Sequence, residues 1–198
     1  MRLLRRFIPL ALIAAPLAAL AHVGADGGAH DHIGFVQGFV HPFTGLDHLA
    51  AMVAVGLWSA LSARRTQDLP WAPLGFAVML LLGAVLGLSG LQLPAVEPMI
   101  AASLLATGLL AATRLRLPGP AAAALVGVFA VFHGLAHGSE LGGGNAAMAL
   151  LGMVLATMLL HVAGIAAGWA LRHRGVWVAR LAGGAVALFG ITLLTQLA

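Results

Sequence analysis

The sequence predicts an all-α integral membrane protein, a bundle of six transmembrane helices, and three observations lead there. Of 198 residues, 61% are hydrophobic and only 8% charged; a soluble domain gives about a quarter of its residues to charge. Apolar segments of span length recur along the chain. The ten basic residues are all arginine and fall in a few short stretches, where they act as topology signals.

Along the chain, Arg2, Arg5 and Arg6 precede an apolar run from Phe7 to Leu20 that closes on Ala19-Leu20-Ala21. That order of charged, apolar and small residues predicts a cleavable signal peptide over residues 1–21. Residues 22–32 form a polar, histidine- and glycine-rich periplasmic tail, and residues 33–198 form the transmembrane domain. Its spans run from Phe43 to Ala63, Trp71 to Leu91, Ala95 to Thr113, Ala121 to Gly138, Ala146 to Leu171 and Val176 to Leu197. Each is near the length that crosses the hydrocarbon layer as a helix. The apolar piece from Ile33 to Val40 either extends the first helix, broken at Pro42, or lies as a half-helix at the outer face.

Arginine placement tests this count. Arg64 and Arg65 follow the first span, Arg114 and Arg116 the third, and Arg172, Arg174 and Arg180 lie at the junction of the fifth and sixth. The other two connections carry none, so six spans put every arginine on the cytoplasmic side. Both mature termini are then periplasmic. Trp58, Trp71, Trp169 and Trp177 fall near the same ends, as an interfacial belt would. Glycines within the spans, such as Gly83 and Gly87, or Gly164 and Gly168, suit close helix packing.

Composition also excludes. The chain has no cysteine, which removes disulfides, thiolate metal sites and iron–sulfur clusters. The net charge of +4 is confined to loops and lacks interleaved aromatics, so nucleic acid is not a partner. No phosphate-binding glycine loop is present, and any transport must use an existing gradient or other subunits.

Two stretches carry the chemistry. In the fourth span His133, His137 and Glu140 are four and three residues apart, so a helix stacks them on one stripe. Two histidines at that spacing can share a metal ion, and Gly134 and Gly138 leave room beside them for another backbone or a partly dehydrated ion. In the first span Pro42 suits a first helical turn, which predicts His41 as N-cap and places Asp47 and His48 about one and a half turns inside. Ionisable groups in a span are costly and usually line a pathway or a bound ion. Imidazole and carboxylate without sulfur suit nickel, cobalt, zinc or copper(II), and the set is too rich in histidine for magnesium or calcium.

Plainer readings stand beside these. His161, deep in the fifth span with Thr157 one turn away, is either an interhelical hydrogen bonder or a second metal station. His22, His30 and His32 in the tail either gather metal at the outer surface or belong to a polar linker. His173 is a solvated loop residue. Rival functions for the main cluster are an intramembrane zinc-dependent hydrolase, a haem-binding electron-transfer subunit and a metal-binding accessory subunit that transports nothing.

The two motifs, His41-x5-Asp47-His48 and Phe132-His133-Gly134-Leu135-Ala136-His137-Gly138-Ser139-Glu140, resemble those of the HupE/UreJ family of nickel permeases. The likeness extends over the signal segment, the histidine-bearing tail and the six-span layout. It implies a permease and not an enzyme, with no resident cofactor and with Ni2+ or Co2+ as the transported ion. Uptake would supply nickel enzymes such as hydrogenase or urease. Carried over to this chain, the resemblance makes His41, Asp47, His48, His133, His137 and Glu140 the permeation or selectivity site. Membrane lipid is the surrounding partner, and homo-oligomer formation is left open.

Overall fold

The computed structural model of the protein describes residues 34–141 and 145–197; the expected signal peptide and the tail histidines His22, His30 and His32 lie outside the described residues. These residues form helices α1 (Phe35–Thr44), α2 (Leu46–Ser62), α3 (Trp71–Leu88), α4 (Val96–Thr113), α5 (Gly119–Glu140), α6 (Ala146–Arg172) and α7 (Val176–Gln196), with a short 3₁₀ turn at Thr66–Asp68. No strand occurs among the described residues. Five helices are long and apolar enough to cross a membrane, and α1 with α2 makes a sixth, broken span. The protein is a multi-pass membrane protein.

The break departs from the sequence expectation in place and sharpness. α1 and α2 meet at an angle of 86°, and the hinge is Gly45, in extended conformation at φ −93° and ψ 116°. Pro42 lies inside α1 and is buried. His41 therefore occupies the last turn of α1 and caps no helix. Asp47 and His48 sit in the first turn of α2, at its mouth, not one and a half turns inside. α1 packs against α6, with Phe35 beside Gly152 and Gly38 beside Ala149, which makes it a half-helix at the outer face.

Glycine brings the helices together in pairs. Gly83, Gly134 and Gly138 set α3 and α5 side by side, each backbone against the carbonyls of the other. Gly56 and Gly164 join α2 to α6, and Gly108 and Gly183 join α4 to α7. Lipid tails are as apolar as the helices, so this association depends on close van der Waals contact and not on a hydrophobic drive. The space beside His133 and His137 is thus filled by the α3 backbone, at the carbonyls of Leu80 and Ala84. Gly184, next to Gly183 in sequence, has nothing within 4 Å of the point where a Cβ would stand.

The arginine end is built as the topology requires. An open cavity of about 730 Å3 there is lined by Arg64, Arg65, Asp68 and Arg116 among others, and Arg172 donates to the Ala63 carbonyl at 2.9 Å. Trp71, Trp169 and Trp177 are exposed as the belt predicts. Trp58 is not: it is buried and donates its indole N–H to the Leu115 carbonyl at 2.8 Å, tying α2 to the α4–α5 connection.

Two substitutions test the packing. Gly134→Ala would drive a methyl into the Leu80 carbonyl and is expected to cost about 1–3 kcal/mol, whereas Gly184→Ala should stay within about 0.5 kcal/mol of the parent. Thermal midpoints of the purified proteins in detergent check this, and equal midpoints would refute the close-approach account.

Candidate metal centre

The last two turns of α5 carry His133, His137 and Glu140 on one stripe that descends from the outer surface. Glu140 closes the helix with its side chain 59% exposed, while His137 and His133 are 2% and 0% exposed. The end of α1 brings His41 to the same place, its carbonyl accepting from the Thr44 hydroxyl at 2.7 Å. His41 Nε2 lies 2.8 Å from Glu140 Oε2; a carboxylate can only accept, so the imidazole N–H donates. Ligand atoms of His41, His137 and Glu140 all lie within 4.8 Å of one another.

A deeper layer follows. Asp47 Oδ1 accepts from the His48 backbone N–H at 2.8 Å and from His48 Nδ1 at 3.0 Å. A side chain on Gly45 would press on this pair, since a Cβ there would stand 2.9 Å from Asp47 Oδ1. Hinge and carboxylate therefore go together. With Nδ1–H committed to Asp47, His48 Nε2 holds the lone pair, and it has no hydrogen-bond partner among the described residues. The His48 ring centroid stands 4.4 Å from that of His137 and 4.8 Å from that of His133.

His133 is oriented the same way from another helix. Its Nε2 lies 2.9 Å from Ser103 Oγ, and that hydroxyl gives its single proton to the Ile100 carbonyl at 2.6 Å. Ser103 must accept, so His133 Nε2 bears the hydrogen and Nδ1 the lone pair. His133 Nδ1 and His137 Nε2 also have no partner among the described residues. An outer hydrogen bond that fixes one nitrogen and presents the other is how proteins orient metal-binding histidines.

Electrostatics favour a cation here. Two carboxylates, Asp47 and Glu140, balance two positive charges, and the C-terminal ends of α1 and α5 add partial negative charge. The positive N-terminus of α2 is met by Asp47 in its first turn. The six side chains singled out in the sequence thus gather in one cluster, with Glu140 exposed at its rim, His41, Asp47 and His48 half-buried, and His137 and His133 fully buried.

Motif reading missed three contributors. Ser103 on α4 left a faint signal, a hydroxyl inside an apolar span. Phe76 on α3 left none, yet its ring touches both His133 and His161, at centroid separations of 5.4 and 5.2 Å. Glu97, in the first turn of α4, joins Asp47 and Gln196 in a shallow outer cleft.

A model of the family described as HupE / UreJ protein matches residues 10–193. The chain belongs to the HupE/UreJ family. Protein HupE of Rhizobium leguminosarum bv. viciae is 45% identical over 188 residues, which cover 93% of this chain and 94% of that one. No solved structure matches the chain. HupE/UreJ proteins are membrane permeases and not enzymes, and membership gives this chain a role connected with nickel or cobalt transport. In this HupE/UreJ chain the Ser103 bond yields a prediction: Ser103→Ala frees the His133 ring and should weaken nickel binding by roughly tenfold, with Ser103→Thr restoring it. Calorimetric titration of the purified protein reads the change; equal affinities would show that Ser103 does not orient His133.

Proposed function

We propose that the protein is a permease that takes Ni2+, or Co2+, inward across the bacterial inner membrane to supply nickel enzymes such as hydrogenase or urease. The observation that carries this reading is the column of bared imidazole nitrogens, His137 Nε2, His48 Nε2 and His133 Nδ1, running inward from an acidic outer rim. An ion meets Glu140 and His41 first and takes the place of the hydrogen they share, which moves to His41 Nδ1. His137 is within reach of the same point. From there the ion exchanges water for His48 and His133, with the Asp47 charge beside it. Imidazole and carboxylate suit nickel and cobalt, and the division into layers keeps each step loosely coordinated, as passage requires. The existing membrane gradient drives the ion inward.

Radioactive nickel uptake in cells lacking their own importers tests the assignment. His48→Ala and His133→Ala, at equal membrane abundance, should each lower uptake by about tenfold or more. Uptake that persists in both variants would remove the column from the path.

Imidazole binds metal only when neutral, so acid competes with the ion. At sub-saturating nickel and fixed membrane potential, uptake should decline as the outer pH drops from about 7.5 to about 5.5. A flat profile would contradict capture by histidine.

A further inference from the structure

His161 and Thr157 lie one turn apart on α6, both fully buried, and neither belongs to the layered cluster. His161 Nδ1 is 2.8 Å from the Met52 carbonyl. A carbonyl only accepts, so Nδ1 bears the hydrogen and Nε2 holds the lone pair. That Nε2 has no hydrogen-bond partner among the described residues, and neither has Thr157 Oγ1. The hydroxyl is unusual in this chain. Ser103, Thr107, Thr113 and Ser139 each donate to a carbonyl of their own helix, the ordinary resolution for a hydroxyl in an apolar helix. Leaving two polar atoms unpaired on one buried stripe is costly unless something else uses them.

Position adds direction. Met52 lies four residues along α2 from His48, about 6 Å further in, so the bond to its carbonyl holds His161 one turn below the cluster. The Phe76 ring touches both His133 above and His161 below. We infer that His161 Nε2 and Thr157 Oγ1 form an inner coordination station for the same divalent transition-metal ion, receiving it from His133 past Phe76. The Met52 carbonyl plays for His161 the part that Ser103 plays for His133. This station rests on the permease reading and extends its path beyond the six motif residues.

The test compares intact protein with His161→Asn and Thr157→Val, measuring nickel uptake into reconstituted vesicles and equilibrium nickel binding in detergent. Asparagine keeps an N–H near the Nδ1 position for the Met52 carbonyl but removes the Nε2 lone pair. An inner station predicts maximal uptake lowered by about tenfold or more in His161→Asn, with half-saturation and equilibrium binding near those of the parent. Uptake equal to the parent would overturn it, leaving His161 as a tie between α2 and α6. Loss of binding together with uptake, at an unchanged thermal midpoint, would also overturn it by making His161 part of the outer site. Should His161→Asn fail to fold, Thr157→Val decides by the same two readouts. An intact protein that binds the ion but carries none would sink the permease reading and the station together; normal carriage by His161→Asn sinks the station alone.

Discussion

Within a hydrocarbon layer every backbone group must find a partner in the protein, and a helix broken at 86° leaves peptide groups that lipid cannot satisfy. The outer half of this molecule is organised around that cost. The Asp47 carboxylate takes up the backbone N–H of His48 at the new helix start and, with the same oxygen, its ring N–H. Gly45 leaves room for it to do so. The break is thus repaired by the same group that orients an imidazole and supplies a negative charge. Broken helices at binding sites recur among membrane transporters because freed helix ends present charge to an ion. Here the C-terminal end of α1 and the end of α5 converge at His41 and Glu140.

The paired helices complement this. Because α3 touches α5 through glycine, backbone lies against backbone, and no channel opens between those two helices. Whatever passes must use the side chains that the close pairs hold in place. His133 and His137 are fixed by α3 on one flank and face His48 on the other. Ser103 contributes from α4, which packs against α7 through Gly108 and Gly183. Five helices therefore set one column of rings: α1, α2, α4, α5 and, through Phe76, α3.

Much of this was legible in the sequence. Apolar length and arginine placement are one-dimensional signals, and they deliver the six-span layout together with its inner and outer ends. The spacing of His133, His137 and Glu140 is likewise local, because helical period alone stacks them. The hinge was not legible in the same way. Proline looked like the natural breaking point, yet Pro42 is accommodated within α1, and the turn falls at Gly45, where a carboxylate two residues on needs the space. Trp58 reads as a lipid-facing belt residue until the Leu115 carbonyl is seen beside it. Ser103 and Phe76 act across helices distant in sequence, and nothing near them in the chain announces the histidines they meet.

The direction of each imidazole hydrogen has an electrical consequence. A stack of histidines would conduct protons if each ring could accept on one nitrogen and donate from the other to the next ring. In this column the N–H groups of His48 and His133 instead turn sideways, to Asp47 and Ser103, as that of His161 below it turns to the Met52 carbonyl. A carbonyl cannot pass a proton on, and Ser103 has already given its own hydrogen to the Ile100 carbonyl. His48 and His133 turn lone pairs and not donors into the column, so neither ring hands a proton on to the next. A membrane that stores its energy as a proton gradient can then keep a ladder of histidines across its outer half without being short-circuited by it.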